Sequence, residues 1–176
     1  RMPDRKIIEL SADEYNTLMF EGVFPSSFGK AIQPDTLAKS GSEHGEQVAF
    51  FAWAARAADY VPAFEWVYAT PNGGSRGDTA LSRAIEGGKM KAEGVRSGVP
   101  DVFLPFPRLH VGRNCLYAGA FCELKTKDGG DGGSENQKRW LEYLTNAGYA
   151  TMMAKGWHEM RRFFVDYLEV QPAKGN

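Results

Sequence analysis

The pattern of hydrophobic and polar positions predicts a chain in which helices and strands alternate. Hydrophobic residues recur at helical spacing in the segments 42–60, 79–93, 134–147 and 157–168. Short apolar runs lie between or beside these segments, at residues 64–69, 102–106, 116–126 and 149–154. A strand that follows a helical crossover is expected to join its sheet in parallel, which applies to the last of these runs. This order of elements predicts an α/β fold.

Charged residues interrupt the apolar pattern on two of the predicted strands. Side chains alternate between the faces of a strand, so Glu123 and Lys125 share one face while Cys122 and Leu124 share the other. Asp101 begins the preceding strand and brings a second carboxylate to the same place if the two strands pair. Carboxylate oxygens are preferred ligands of hard divalent cations. The pattern therefore predicts a metal site.

Short motifs around these residues occur in a characteristic order. Pro100-Asp101 and Glu123-Leu124-Lys125 have the form of the PD-(D/E)XK signature, and four further motifs accompany them: Glu46-Gln47, Pro71-Asn72-Gly73-Gly74, residues 94–101 and residues 134–137. Together they resemble the virus-type replication-repair nuclease family, VRR-NUC, over residues 42–168. The resemblance implies a PD-(D/E)XK restriction-endonuclease-like core of order αβββαβ, with a mixed central sheet flanked by helices.

The resemblance also implies roles for individual residues. Asp101, Glu123 and the backbone carbonyl of Leu124 would bind Mg²⁺ or Mn²⁺, and Lys125 would orient or activate the attacking water. Gln137 would contact the metal-bound water or the scissile phosphate, although a Gln three residues after Ser134 also completes a capping box.

An acid from the first long helix is expected to complete the metal site. Glu46 is favoured because the Glu46-Gln47 pair followed by an apolar run matches the family better. Glu43 is its rival, since it lies one turn earlier on nearly the same face. Glu43 also has a simpler explanation as a first-turn acid favoured by the helix dipole.

The charge of the chain gives little support to a large nucleic-acid surface. The net charge is −1, whereas phosphate contacts normally come from Lys and Arg. A local basic excess between residues 76 and 96 is the candidate DNA-facing surface, although a solvated helix and loop of mixed charge explains it nearly as well. Candidate DNA contacts are Asn72, Arg76, Lys89, Lys91, Arg96 and, more weakly, Lys138.

Composition excludes several other classes of protein. With 43% hydrophobic and 24% charged residues, the chain is typical of a globular protein rather than a disordered one. No run is long enough to span a membrane and no apolar signal segment is present, so we expect a cytoplasmic protein, in the host cell if it is viral. Two cysteines without metal-ligand spacing argue against a zinc cage, and the chain lacks a P-loop and a dinucleotide fingerprint, so no organic cofactor is expected.

The resemblance to VRR-NUC implies a metal-dependent DNA endonuclease in residues 41–170, preceded by an extension of residues 1–40 and followed by a tail of residues 171–176. A preference for branched or junction DNA, a phage or prophage origin and a homodimer are further expectations. The extension could pack on the nuclease domain, mediate dimerisation or contact DNA, and packing is favoured. The alternatives are an inactive nuclease fold that binds DNA or assembles with partners, and an RNA nuclease.

Overall fold

The computed structural model describes residues 7–21, 33–71, 79–110, 115–128 and 132–173. It is a mixed α/β structure, as predicted. The α-helices are α1 (Ala12–Asn16), α2 (Pro34–Ala38), α3 (Glu43–Ala57), α4 (Ala80–Ala92), α5 (Glu135–Asn146) and α6 (Trp157–Tyr167). The strands are β1 (Ile8–Leu10), β2 (Tyr68–Ala69), β3 (Val102–Leu104), β4 (Arg108–His110), β5 (Cys115–Tyr117), β6 (Ala120–Lys125), β7 (Ala150–Lys155) and β8 (Val170–Pro172).

A mixed four-stranded sheet in the order β2-β3-β6-β7 forms the centre of the fold. β3 pairs antiparallel with both β2 and β6. β6 and β7 pair in parallel from Ala120↔Ala150 to Lys125↔Lys155, and α5 forms the crossover between them. The predicted parallel pairing after a helical crossover is therefore confirmed.

The hydrophobic core lies between one face of this sheet and helices α3 and α6. Cys122 and Leu124 of β6 point into it and are almost completely buried. Phe50 of α3 packs against Phe164 of α6 with ring centroids 5.4 Å apart. The core fills this face of β6. The side chains on the opposite face of the strand are therefore the ones available for a functional site.

Local sequence signals set the beginnings of several helices. Ser134 caps α5, and both hydrogen bonds of its capping box with Gln137 are present. Ser11 and Glu14 form a second capping box at the start of α1, which continues into a π-helical turn at Thr17–Glu21. Such boxes satisfy amide groups that the helix itself cannot pair, so a short motif was sufficient to predict the boundary at Ser134.

Two predicted strands differ from the structure. Residues 64–66 of the run predicted as a strand belong instead to a 3-10 helix, Pro62–Trp66, and only Tyr68–Ala69 is extended. Pro62 favours a helical start, and the turn buries Phe64 against Trp53, with ring centroids 4.8 Å apart. A strand would send alternate residues to opposite faces and lose part of this packing.

The predicted continuous strand at 116–126 is divided into β5 and β6. Gly119 lies between them, and a β-carbon there would come within 2.7 Å of the Phe103 ring. β5 pairs instead with β4 in a separate hairpin that the sequence pattern did not predict.

The N-terminal segment is attached to the rest of the fold at both its strand and its helix. β1 pairs in parallel with β8, with Ile8 opposite Val170. β8 itself extends across the boundary predicted at residue 170. The Trp53 indole donates a hydrogen bond of 3.2 Å to the carbonyl of Leu18, which is fully buried. No helix in the described ranges is long and apolar enough to cross a membrane.

Candidate metal centre

The carboxyl end of β6 carries the candidate site on the face opposite the core. Glu123 and Lys125 share this face, as the alternation of side chains requires. Glu123 is nevertheless 1% exposed, while 15% of the Lys125 side chain remains accessible. A carboxylate is thus withdrawn from solvent with an ammonium group at its edge.

Asp101 is fixed at the start of β3, beside the same part of β6. Its Oδ2 accepts a hydrogen bond of 2.8 Å from the backbone N–H of Leu124. Val102 is paired with Cys122, so continuing the antiparallel register by one position sets Asp101 opposite Glu123. On the other side, the N–H of Thr70 donates to the Asp101 carbonyl at 2.8 Å. Asp101 and Glu123 are therefore positioned by strand pairing.

Glu123 accepts two hydrogen bonds through the same oxygen. Lys125 Nζ lies 2.9 Å from Oε1, and the Gln137 amide Nε2 also donates to this atom. Gln137 Oε1 in turn accepts from the N–H of Ser134 at 2.7 Å. The capping-box role of Gln137 is therefore confirmed, and the other end of the same amide binds Glu123. Its contact with metal-bound water or the scissile phosphate stays a prediction.

The second oxygen of Glu123, Oε2, is buried and accepts no hydrogen bond from the described residues. Burial, followed by the negative charge of Asp101, raises the pKa of Glu123 to about 7 from its ordinary value of 4.5, even though Lys125 acts in the opposite direction. Two neighbouring acids with an unpaired buried oxygen form an electrostatically unfavourable site that a bound cation would relieve.

Lys125 remains protonated in this environment. Burial by itself lowers the pKa of the ammonium group, but the hydrogen bonds and charges of Glu123 and Glu43 outweigh burial, and the net pKa is raised above 10.5. A positive charge is thereby held next to the two carboxylates.

The two acids considered on α3 have different partners. Glu43, at the first position of the helix, lies with Oε1 3.4 Å from Lys125 Nζ. Glu46 is 1% exposed and accepts a hydrogen bond of 2.8 Å through Oε2 from the N–H of Trp157, at the start of α6. Its Oε1 lies 4.0 Å from Lys127 Nζ. The structure therefore brings Glu43, and not Glu46, into direct contact with the Glu123–Lys125 pair.

The VRR-NUC domain model matches residues 64–157, which is more than half of the chain. The chain belongs to the VRR-NUC nuclease family. A solved structure described as a VRR_NUC domain protein has the same fold, with a TM-score of 0.53 and 23% identity, over 81% of this chain and 95% of that one. No curated protein matches the chain.

The VRR-NUC match includes three elements of the site but not the helix with the two competing acids. Asp101, Glu123, Lys125 and Gln137 lie within it, whereas α3 precedes it. The match therefore covers β3, β6 and α5, and the choice between Glu43 and Glu46 depends on the contacts of α3.

The predicted DNA contacts that the structure describes lie on α4, on the loop after it and on α5. Lys89, Lys91 and Arg96 are exposed at the end of α4 and in the following loop. Lys138 follows Gln137 on α5, and its Nζ lies 3.3 Å from Glu135 Oε1. Asn72 and Arg76 lie outside the described residues. Lys89 and Lys91 occupy the last turn of α4, where the helix dipole also favours positive charge.

Sequence reasoning did not find the residues beside Gln137 that border a surface pocket. Asn136, Arg139, Trp140 and Tyr143 of α5 line a cavity of about 410 Å³. The available signal was the exposed aromatic residue Tyr143 on a helix with an otherwise amphipathic pattern. This signal indicates a surface feature but not its position relative to Glu123.

Proposed function

We propose that this VRR-NUC protein is a DNA endonuclease that depends on Mg²⁺ or Mn²⁺ and hydrolyses phosphodiester bonds. The observation that carries the proposal is the buried Glu123 carboxylate. Its Oε2 accepts no hydrogen bond from the described residues, its Oε1 is bound by Lys125 and Gln137, and Asp101 lies opposite it in the strand register. Such an arrangement is unfavourable for a purely structural carboxylate, but it suits one that binds a cation.

The donor set fits a hard divalent ion, although the described residues contain no cluster of three His, Cys, Asp or Glu side chains that would suffice by itself. Asp101 and Glu123 would bind the ion, and the Leu124 carbonyl remains our proposed third oxygen. Water and substrate phosphate commonly complete the shell of Mg²⁺. When bound, the ion would polarise the phosphate and lower the pKa of a water molecule.

The chain's own residues would perform the remaining tasks. Gln137 fixes the orientation of the Glu123 carboxylate through its amide. Lys125, held protonated by Glu123 and Glu43, would stabilise the negative charge that develops on the phosphate in the transition state. A protonated Lys125 donates hydrogen bonds to the attacking water or to the phosphate, and it does not act as a base in this state.

We assign Glu43 to the site on the basis of its contact with Lys125, and we retain Glu46 as a predicted member whose direct contacts favour a positioning role. The Glu46 carboxylate accepts a hydrogen bond from the N–H of Trp157, the first residue of α6. This bond holds the first turn of α3 against the β7–α6 connection. The arrangement of β2, β3, β6, α5 and β7 is compatible with the αβββαβ core of the PD-(D/E)XK superfamily, and we propose this classification.

Branched or junction DNA, a homodimer, a cytoplasmic location and a phage or prophage origin remain parts of the proposal. Small nucleases that cut both strands of a junction commonly use two active sites, which a symmetric homodimer supplies. The mass of the protein in solution, measured by light scattering, tests the dimer directly.

A cleavage panel tests the proposed activity. Linear duplex, flap and four-way DNA, with a matched RNA duplex, should be incubated with Mg²⁺, Mn²⁺ or EDTA and with Asp101→Asn, Glu123→Gln or an exposed control, Glu142→Gln. We expect cleavage of DNA with Mg²⁺ or Mn²⁺ only, and a loss of at least about 100-fold in both site variants, as for the removal of essential charge stabilisation.

The same panel separates the alternatives. Binding of DNA without cleavage under every condition would favour an inactive nuclease fold that serves as a binding module. Cleavage of RNA in preference to DNA would favour an RNA nuclease. Full activity in folded Glu123→Gln would contradict the proposed metal centre.

A further inference from the structure

Helix α5 carries an aromatic pocket close to the candidate metal centre. Asn136, Arg139, Trp140 and Tyr143 line the cavity of about 410 Å³, a size typical of small-molecule sites. The rings of Trp140 and Tyr143 are perpendicular, with centroids 6.1 Å apart. Tyr143 is 65% exposed, an unusual placement for a large aromatic residue on a packed helix.

The position of this pocket follows from the contact between Gln137 and Glu123. Gln137 is bound to the carboxylate, which fixes the register of α5 relative to β6. Trp140 follows Gln137 by three residues, so their β-carbons are about 5–6 Å apart on the helix surface. Trp140 therefore lies about one helical turn from the residue that binds the carboxylate.

The loop before Asp101 lies along the same side of α5. Gly98 is so close to the helix that a β-carbon would come within 2.8 Å of the Asn136 backbone. Asn136 also belongs to the pocket lining. The helix flank that carries the pocket is therefore next to the loop that positions Asp101.

The residue types at the pocket match the chemistry of a nucleobase. Aromatic rings stack on the flat faces of bases, and the Asn136 amide and the Arg139 guanidinium supply hydrogen-bonding groups for a base edge or its phosphate. A base inside a duplex presents no free face, so only an unpaired base can use the rings. A chain with a net charge of −1 has no overall excess of cations to bind phosphates, so stacking would add affinity that charge does not supply.

We propose that Trp140 and Tyr143, with Arg139 and Asn136, form a subsite for one unpaired nucleobase next to the scissile phosphate. This inference rests on the proposed nuclease function and refines it, because it makes a single-stranded arm or an opened base pair the feature of DNA that is recognised. Duplex DNA without such an arm would bind through phosphate contacts alone.

Binding is tested with 2-aminopurine, a fluorescent adenine analogue whose emission is quenched by stacking. The analogue is placed at successive positions in the unpaired arm of a flap, and the full chain is titrated in EDTA. We expect strong quenching at one or two adjacent positions. Trp140→Ala and Tyr143→Ala should each raise the Kd for the flap roughly 5- to 150-fold and abolish the quenching, while the Kd for duplex DNA changes little.

Two further variants separate stacking from structural damage. Trp140→Phe keeps an aromatic ring and should restore most of the affinity for the flap. Trp66→Ala removes an indole that is 63% exposed at the end of the 3-10 helix, and it should leave the flap affinity unchanged. The slope of log Kd against log salt should be equal in wild type and Trp140→Ala, because the contact that is removed carries no charge.

Several results would overturn the inference. Unchanged flap affinity in both Trp140→Ala and Tyr143→Ala would do so, as would equal losses for flap and duplex DNA. A fall in solution mass in these variants would show that the pocket is an interface between copies of this chain.

The cleavage assay distinguishes this inference from the proposed function. If wild type cuts DNA and Asp101→Asn does not, the nuclease assignment stands even when Trp140→Ala has no effect. If the 2-aminopurine is quenched by wild type but no substrate is cut, the base subsite stands and the nuclease assignment fails.

Discussion

Replacing the Glu123 carboxylate with an amide should stabilise the metal-free protein, although it should abolish catalysis. Glu123→Gln keeps the size of the side chain and resembles the protonated acid. In the wild type, burial and the charge of Asp101 raise the pKa of Glu123 from 4.5 to about 7, so the folded protein resists ionisation of this group more than the unfolded chain does.

The sign of the pH dependence follows from these two values. Below pH 4.5 the carboxyl is protonated in both states and costs nothing. Between pH 4.5 and 7 the unfolded chain releases the proton while the folded protein keeps it, so the free energy of unfolding falls as pH rises. Above pH 7 the carboxyl is ionised in both states, and the full cost of ionising buried Glu123 lowers the free energy of unfolding.

The magnitude can be estimated from the same shift. A tenfold change in an acid equilibrium corresponds to about 1.4 kcal/mol, so the shift from 4.5 to about 7 gives an upper bound of about 3.5 kcal/mol. We expect about 2 kcal/mol, since solvent and salt screen part of the repulsion. For a chain of this size that corresponds to roughly 4–8 °C in Tm.

The assay is urea unfolding and thermal unfolding in EDTA at several pH values from 4.5 to 8.5, for wild type, Glu123→Gln and the exposed control Glu142→Gln. The advantage of Glu123→Gln should be near zero at the acidic end and largest at the alkaline end. Mg²⁺ should then raise the Tm of wild type more than that of Glu123→Gln, because an ion that binds only the folded state stabilises it. A gain that is independent of pH, or a variant less stable than wild type at pH 8, would refute the reasoning.

Three other predictions test the choice of acid, the loop and the basic surface. Glu43→Gln should reduce cleavage more than tenfold without a large change in Tm, because Glu43 contacts Lys125. Glu46→Gln weakens the hydrogen bond from the Trp157 N–H and should lower Tm by several degrees. The reverse pattern in cleavage and melting assays would restore Glu46 to the site. Gly98→Ala should cost about 2 kcal/mol or more in urea unfolding, because Gly98 has a φ of 89° and no room for a β-carbon beside Asn136. Gly87→Ala is the control, because a β-carbon at this position of α4 would have no atom within 4 Å. It should raise the free energy of unfolding by about 0.5–1 kcal/mol, and equal effects of the two changes would contradict this account. Replacing both Lys89 and Lys91 with Ala should weaken DNA binding and reduce the salt slope by about 2, and an unchanged slope in anisotropy titrations would place the phosphate contacts elsewhere.

Features that depend on local chemistry were predictable from the sequence. The capping-box motif at Ser134 predicted the start of α5, because a hydroxyl and an amide three residues later satisfy the first amides wherever the helix packs. The alternation along β6 predicted that Glu123 and Lys125 leave the core face on which Leu124 is buried. The ordered motifs also identified the family.

Features that depend on distant partners were predicted less well. Residues 64–69 have the composition of a strand, but burial of Phe64 against Trp53 favours a 3-10 turn. The apolar run at 116–126 was predicted as one strand, but β5 ends before Gly119 and β6 begins after it, where Gly119 approaches Phe103 closely. The pairing of β1 with β8 joins segments from the two ends of the chain, which no local pattern specifies.

The sequence by itself therefore determined the family, the α/β alternation and the face of β6 that carries the acid and the lysine. The tertiary structure alone decided how deeply Glu123 is buried, which oxygen of it lacks a partner, and which acid of α3 contacts Lys125. Glu43 and Glu46 are one turn apart and nearly equivalent on an isolated helix. Only the position of the Trp157 amide, more than a hundred residues further along the chain, draws Glu46 away and leaves Glu43 beside the site.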